Sequence, residues 1–127
     1  MNASVLHRIL RAHAARAAQR TARGRYDEAE CELRAAARLA ERESGPESLE
    51  LAEAASALGA LLATLGKTGD AERALRTAVR VYELANGPQH PCLAEPLSAL
   101  GAVRRLRGDL DEAEQLYRRA VSLVGSP

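Results

Sequence analysis

The chain has 127 residues, 46% of them hydrophobic, with two cysteines, three tyrosines, no phenylalanine, no tryptophan and a formal net charge of +1. This length suits one domain, and no apolar run reaches the ~18 residues that a membrane-spanning helix needs. Scarce β-branched and aromatic residues argue against strands, whereas abundant Ala, Leu, Arg and Glu favour helices. Two cysteines form no disulfide framework, which predicts reduced thiols in a cytoplasmic protein.

The charge is divided unevenly along the chain. Residues 1–26 contain six arginines and no acid, whereas residues 27–127 contain 12 basic and 17 acidic residues. The basic segment is suited to steering an anionic partner or to head-to-tail contacts; solvated helix faces are the alternative interpretation. With no Phe or Trp for base stacking and an acidic remainder, no nucleic acid is expected as a partner. No membrane contact is expected either.

The predicted elements are helices throughout. The first lies within residues 1–23 and buries Val5, Ile9 and Leu10. A second helix follows it and carries Cys31. The next two helices, about 49–65 and 69–85, have apolar faces made of Leu51, Leu58, Leu62 and Leu65 and of Ala71, Leu75, Ala78 and Tyr82, respectively.

Capping and breaking residues mark where these helices begin. Ser48 is the expected N-cap of the helix at 49–65. Pro91 suits the first position of the following helix, where no N–H is required, with His90 as a local cap. Pro96 lies further in and predicts a bend, because it removes one helical hydrogen bond.

The sequence matches itself without gaps when it is shifted by 42 residues. The aligned sets include Gly24, Gly66 and Gly108; Ala29, Ala71 and Ala113; Leu33, Leu75 and Tyr117; and Ala36, Ala78 and Ala120. A fixed period of this length is typical of a repeat array. It predicts an all-α fold, an α-solenoid of three antiparallel helix pairs in a single domain, with repeats at about 7–48, 49–90 and 91–127. Gly59 and Gly101 are expected to let the two helices of a pair approach closely.

The repeated residues resemble a known family. Leu58-Gly59, Ala71, Leu75 and Ala78, repeated as Leu100-Gly101, Ala113, Tyr117 and Ala120, resemble the tetratricopeptide repeat. The 42-residue period and the segment Gly87-Pro88-Gln89-His90-Pro91 are similar to the kinesin-light-chain class, which is common in bacteria. Heavy Arg and Ala use with one lysine is also typical of a GC-rich bacterial genome. The resemblance implies a scaffold that binds proteins.

The sequence offers little catalytic or metal-binding chemistry. His7 and His13 are six residues apart, so one helix does not place them on one face. His90 and Cys92 lack two further ligands for a zinc site, and no histidine is near Cys31 in sequence to activate its thiol. We therefore predict no enzyme activity, no catalytic residue, no metal and no cofactor.

The resemblance implies that the first helix of each pair lines a concave groove. The side chains predicted to contact a partner there are Arg11, Glu53, Ser56, Thr64, Glu95, Ser98 and Arg105. Arg11 and Arg105 are expected to bind acidic groups of a protein or peptide. A merely solvated helix face is the alternative.

The last helix is as apolar as its counterpart at 69–85. The side chains predicted to be left uncovered are Leu116, Tyr117, Ala120, Leu123 and Val124. Because such patches mark interfaces, a homodimer is expected; a chain cut from a longer protein explains the patch equally well. The leading function is a protein–protein interaction scaffold. The alternatives are a detached module of a bacterial transcriptional or signalling regulator, and an enzyme that uses the groove.

Overall fold

The structure, a computed structural model, describes residues 1–125. The α-helices of this range are α1 (Ala3–Ala22), α2 (Tyr26–Ser44), α3 (Leu49–Thr64), α4 (Thr68–Asn86), α5 (Ala94–Leu106) and α6 (Leu110–Val124). A 3₁₀ turn, Pro91–Leu93, precedes α5. Residues 1–125 contain no strand, and the prediction of an all-α fold is confirmed.

The helices pack in three consecutive pairs. Short turns join α1 to α2, α3 to α4, and α5 to α6, so the members of a pair run in opposite directions and lie against each other. The pairs stack in chain order through α2 on α3 and α4 on α5, and α3 also contacts α5. The first helices of the pairs, α1, α3 and α5, therefore form one layer of the array.

Two glycines set the distance between the helices of a pair. A Cβ atom on Gly59 would overlap the side chain of Leu75, coming within 2.6 Å of its Cδ2. A Cβ atom on Gly101 would lie 2.9–3.0 Å from the ring of Tyr117. Real Cβ contacts are longer, so these two helix pairs need glycine at this position to pack as closely as they do. The predicted close approach is confirmed.

The predicted helix starts are also present. The Ser48 hydroxyl accepts a hydrogen bond from the Leu51 amide at 3.2 Å, and His90 Nδ1 accepts one from the Cys92 amide at 3.0 Å. Pro91 begins the 3₁₀ turn. The 3₁₀ turn gives way to α-helix at Ala94, so α5 begins later than expected. Pro96 therefore lies in the first turn of α5.

Buried side chains form two clusters that both run between pairs. One includes Leu62, Leu75 and Leu100, and the other includes Val81 and Leu97. The partly buried side chains Val79 and Leu116 pack against both clusters. Apart from Tyr82 in the second cluster, the buried side chains are aliphatic, as the composition predicts.

Ion pairs also join neighbouring pairs of helices. Glu30 on α2 accepts a hydrogen bond of 2.7 Å from Lys67, which precedes α4. Glu72, one period later, is paired with Arg104 and with Arg107, the latter at 3.2 Å. The hydrogen bond from Lys67, followed by one from Arg34, lowers the pKa of Glu30. None of the described helices is long and apolar enough to cross a membrane.

Candidate functional site

Two clefts lie on the layer formed by α1, α3 and α5. One cleft of about 390 Å³ lies between α1 and α3, and one of about 480 Å³ lies between α3 and α5. We call the two clefts together the groove. Its lining includes His7, Arg11, Ala14, Glu50, Glu53 and Ala57 in the first cleft and Ala60, Thr64, Glu95, Ser98, Ala102 and Arg105 in the second.

The groove brings together six of the seven side chains predicted to contact a partner. The residues lining it are Arg11, Glu53, Thr64, Glu95, Ser98 and Arg105. Ser56 is the exception, because its side chain is buried, with 4% of its surface exposed, and its Oγ has no hydrogen-bond partner within residues 1–125. Its placement on an accessible groove surface is therefore wrong. The equivalent residue Ser98 is exposed.

The charged side chains of the groove fall into two kinds. At one edge, His7 Nε2 lies 3.0 Å from Glu50 Oε1, and the hydrogen bond lowers the pKa of Glu50. Arg11, Glu53 and Glu95 are exposed and have no ion pair with any described residue. The same holds for Arg105 among residues 1–125. The groove thus presents charges that a partner can neutralise without breaking an existing pair.

Tyr82 on α4 lies within reach of two of these charges. The side chain is buried, with 9% of its surface exposed. Burial, followed by the negative charge of Glu53 and then by Cys92 and Glu95, raises the pKa of the Tyr82 hydroxyl to about 12. Burial and both groove carboxylates therefore keep this phenol neutral.

The outward face of α6 carries a second, shallow cleft of about 520 Å³. It is mostly apolar and is lined by Arg105, Leu110, Ala113, Glu114, Tyr117, Arg118, Val121 and Ser122. Leu110 and Val121 are 64% and 63% exposed. Arg105 lines this cleft and the groove alike, so the two surfaces adjoin.

The structure changes which residues of α6 are available for contact. Ala120 is buried, so the prediction that it is left uncovered is wrong. Leu116 and Leu123 are partly buried and pack against the core clusters, so only part of each side chain is available. Tyr117 is partly exposed and Val124 is 60% exposed. The reason is the phase of the helix: Leu116, Ala120 and Leu123 form the stripe that faces α5 and the 3₁₀ turn.

The histidines and cysteines considered for metal binding or thiol chemistry do not form a metal-binding cluster in the described part of the chain. Within residues 1–125, no group of three or more His, Cys, Asp or Glu side chains is arranged to hold a metal. Cys31 is exposed on α2. Cys92 is partly buried, and its Sγ lies 3.5 Å from Asn86 Nδ2. His90 is engaged in capping.

Comparison with known proteins agrees with this architecture. A family model described as tetratricopeptide repeat matches residues 8–84 and 70–124. The chain belongs to the tetratricopeptide repeat family. The crystal structure of BtubC (BKLC) from P. vanneervenii has the same fold, with a TM-score of 0.79 and 22% identity, over 89% of this chain and 44% of BtubC. The chain thus spans less than half of BtubC. No curated protein sequence matches it significantly.

Three residues at or near these surfaces, Leu110, Val121 and Tyr82, were not among the predicted site residues. Leu110 and Val121 lie on the outward face of the last repeat, beside the predicted Tyr117. Tyr82 stands where the other two repeats have Ala40 and Val124. A tyrosine at a position otherwise held by smaller residues was the available signal, but its proximity to the groove carboxylates depends on how repeats two and three pack together.

Proposed function

We propose that this tetratricopeptide repeat protein is a protein–protein interaction scaffold whose groove binds an extended segment of another protein. The observation that carries the proposal is the groove itself, which crosses α1, α3 and α5 and contains four charged side chains without an ion-pair partner among the described residues. Small neighbours such as Ala60 and Ala102 leave room for a backbone. We further propose the bacterial cytoplasm as its setting.

Site-specific photo-cross-linking in the native host tests this function. A cross-linking amino acid is placed at Ala60 or Ala102 in the groove, and at Thr77, in the cleft on the opposite side of the array, as the matched control. We expect the same partner band from both groove positions and none from Thr77. A partner captured from Thr77 alone would move the binding surface away from the groove.

We also propose that the outward face of α6 binds a second copy of the chain. The exposed side chains Leu110, Val121 and Val124 lie on one side of α6 with the partly exposed Tyr117. Removing them from water stabilises an interface by roughly 1.5–3 kcal/mol for each large side chain that is fully buried.

The charges of this face favour a symmetric dimer. Glu114 and Arg118 lie in the same cleft and pair with each other across one helical turn. A two-fold axis perpendicular to α6 makes the two α6 helices antiparallel, and in that arrangement the Glu114 of each copy can meet the Arg118 of the other. A face that carries both signs next to an apolar stripe is therefore complementary to itself.

Light scattering after size exclusion, at tens of micromolar protein, tests the dimer. Val121→Glu is expected to convert it to a monomer that keeps the helical content of the parent chain, as measured by circular dichroism. Leu84→Glu is the control, since Leu84 is equally exposed (65%) but lies on α4. A parent chain that is already monomeric at this concentration would contradict the proposal.

A further inference from the structure

Three charged residues occupy the same position in the three repeats. Arg11, Glu53 and Glu95 are separated by the 42-residue period, lie on α1, α3 and α5, and line the groove. Each is exposed and unpaired within residues 1–125. Across the groove the row therefore has one positive end, followed by two negative positions.

The two negative side chains, Glu53 and Glu95, both affect the hydroxyl group of Tyr82. Glu53 and Glu95 both lie close enough to the buried Tyr82 to raise the pKa of its hydroxyl. They lie one repeat apart on α3 and α5, two helices that contact each other at the boundary between repeats two and three. Two exposed carboxylates on neighbouring helices, with no ion pair among the described residues, suit an ammonium or guanidinium group, which donates several hydrogen bonds and carries the opposite charge.

We propose that the groove recognises a protein segment of mixed charge, with Lys or Arg seated between Glu53 and Glu95 and with Asp or Glu against Arg11. This inference rests on the proposed function and specifies the partner of the same groove. A segment that is acidic throughout would place carboxylates beside Glu53 and Glu95, and such like-charge contacts disfavour binding.

The architecture also sets the spacing of the two charges in the partner. Packed helices lie about 8–10 Å apart, and an extended chain advances about 3.3 Å per residue. From α1 to a point midway between α3 and α5 is one and a half such steps, about 12–15 Å, which corresponds to about four residues of the bound segment. The acidic and basic side chains of the partner are expected to be about that far apart, in a chain that runs across the groove.

Selection from a displayed library of random dodecapeptides on the intact protein tests the charge order. We expect enriched peptides to combine a basic residue with an acidic residue about four positions away. Fluorescence anisotropy with the best labelled peptide should give a Kd at least about tenfold higher for Glu53→Gln/Glu95→Gln than for the parent. Glu41→Gln, an exposed glutamate of α2 outside the groove, should leave Kd unchanged, and thermal melts verify that each variant is folded.

A charge exchange makes the test specific for the contact. Glu95→Arg should lose the selected peptide and bind a version in which the basic residue is replaced by Glu. Enriched peptides that are acidic throughout, with a Kd insensitive to Glu53→Gln/Glu95→Gln, would overturn the mixed-charge inference but leave groove binding intact. Peptides that bind Ala60→Arg/Ala102→Arg as tightly as the parent would instead overturn the proposed function, since that variant fills the groove.

Discussion

At the N-terminal end of the array, His13, Arg16 and Glu32 occupy positions that are apolar one repeat later, whereas α6 at the other end keeps the apolar residues of α4. Glu32 Oε2 lies 2.6 Å from His13 Nδ1, and Glu32 Oε1 lies 3.1 Å from Arg16 Nε. Arg20 approaches the same carboxylate at 3.8 Å. The outward face of repeat one is therefore a network of polar groups.

The same positions in repeat two face repeat one. The equivalents of His13, Arg16, Arg20 and Glu32 are Ala55, Leu58, Leu62 and Ala74, which line the cleft between the first two repeats. A face that packs against a preceding repeat is apolar, and the same face is polar where repeat one has no preceding repeat in the described chain. The N-terminal end is thus adapted to water, as terminal repeats of solenoids require.

The C-terminal end lacks this adaptation. Tyr82 is 9% exposed on α4, whereas its equivalent Val124 is 60% exposed on α6. Val79 packs against both core clusters, whereas its equivalent Val121 is 63% exposed. Within residues 1–125, the outward face of the array is therefore polar at the N-terminal end and apolar at the C-terminal end, where we propose that a second copy binds.

The largest expected difference between the repeats is at the residue that fills each helix pair. Leu75→Ala removes a side chain with no exposed surface and should lower the free energy of unfolding by about 2–5 kcal/mol. Tyr117→Ala, at the equivalent position of the open repeat, should cost clearly less because its ring is partly exposed. Chemical denaturation at low protein concentration, where a dimer dissociates, measures both. Equal losses would contradict an open C-terminal face.

The next largest effect on the free energy of unfolding is expected from a glutamate placed on the outward side of α4, compared with one on α6. Val79→Glu should destabilise the fold by about 2–3 kcal/mol, since it removes a packed side chain and desolvates a carboxylate. Val121→Glu should change the free energy of unfolding of the monomer by less than about 0.5 kcal/mol. Thermal melts distinguish them, and similar destabilisation by both would mean that α6 is covered within the monomer.

The two helix-contact glycines provide a smaller contrast. Gly59→Ala should cost about 1–3 kcal/mol, because the added Cβ overlaps the enclosed Leu75 side chain. Gly101→Ala should cost less than about 1 kcal/mol, because the Tyr117 ring that it meets can move toward the open face. Denaturation midpoints decide the order, and a larger cost for Gly101→Ala would reverse the comparison.

The smallest effect concerns the polar N-terminal network. Hydrogen bonds from His13, then from Arg16, lower the pKa of Glu32 below its ordinary value of 4.5. The ionised carboxylate therefore contributes stability above pH 4.5 that is lost as the pH falls through the lower pKa of the folded state. Glu32→Gln should reduce the loss of stability between pH 6 and pH 3 by less than about 1 kcal/mol. Glu41→Gln is the control. Identical pH profiles of stability for the two variants would mean that the network does not contribute to the pH dependence.

Local features of this protein follow from the sequence alone. The 42-residue period, the caps at Ser48 and His90, and the need for glycine at 59 and 101 depend on backbone chemistry and on contacts within one helix pair. Those contacts are repeated wherever the pattern is repeated, so one unit read correctly predicts the others. Most groove residues could be predicted for the same reason, since they share positions on the first helix of each pair.

Other features were decided by how the pairs stack. Ser56 and Ser98 occupy the same repeat position, yet Ser56 is buried and Ser98 is exposed. α5 packs against α3, while no helix of residues 1–125 packs on the corresponding side of α5. The effect of Glu95 on the pKa of the Tyr82 hydroxyl likewise joins two repeats. Burial and electrostatic contact depend on which neighbour is present, and a pattern confined to one repeat carries no information about its neighbours.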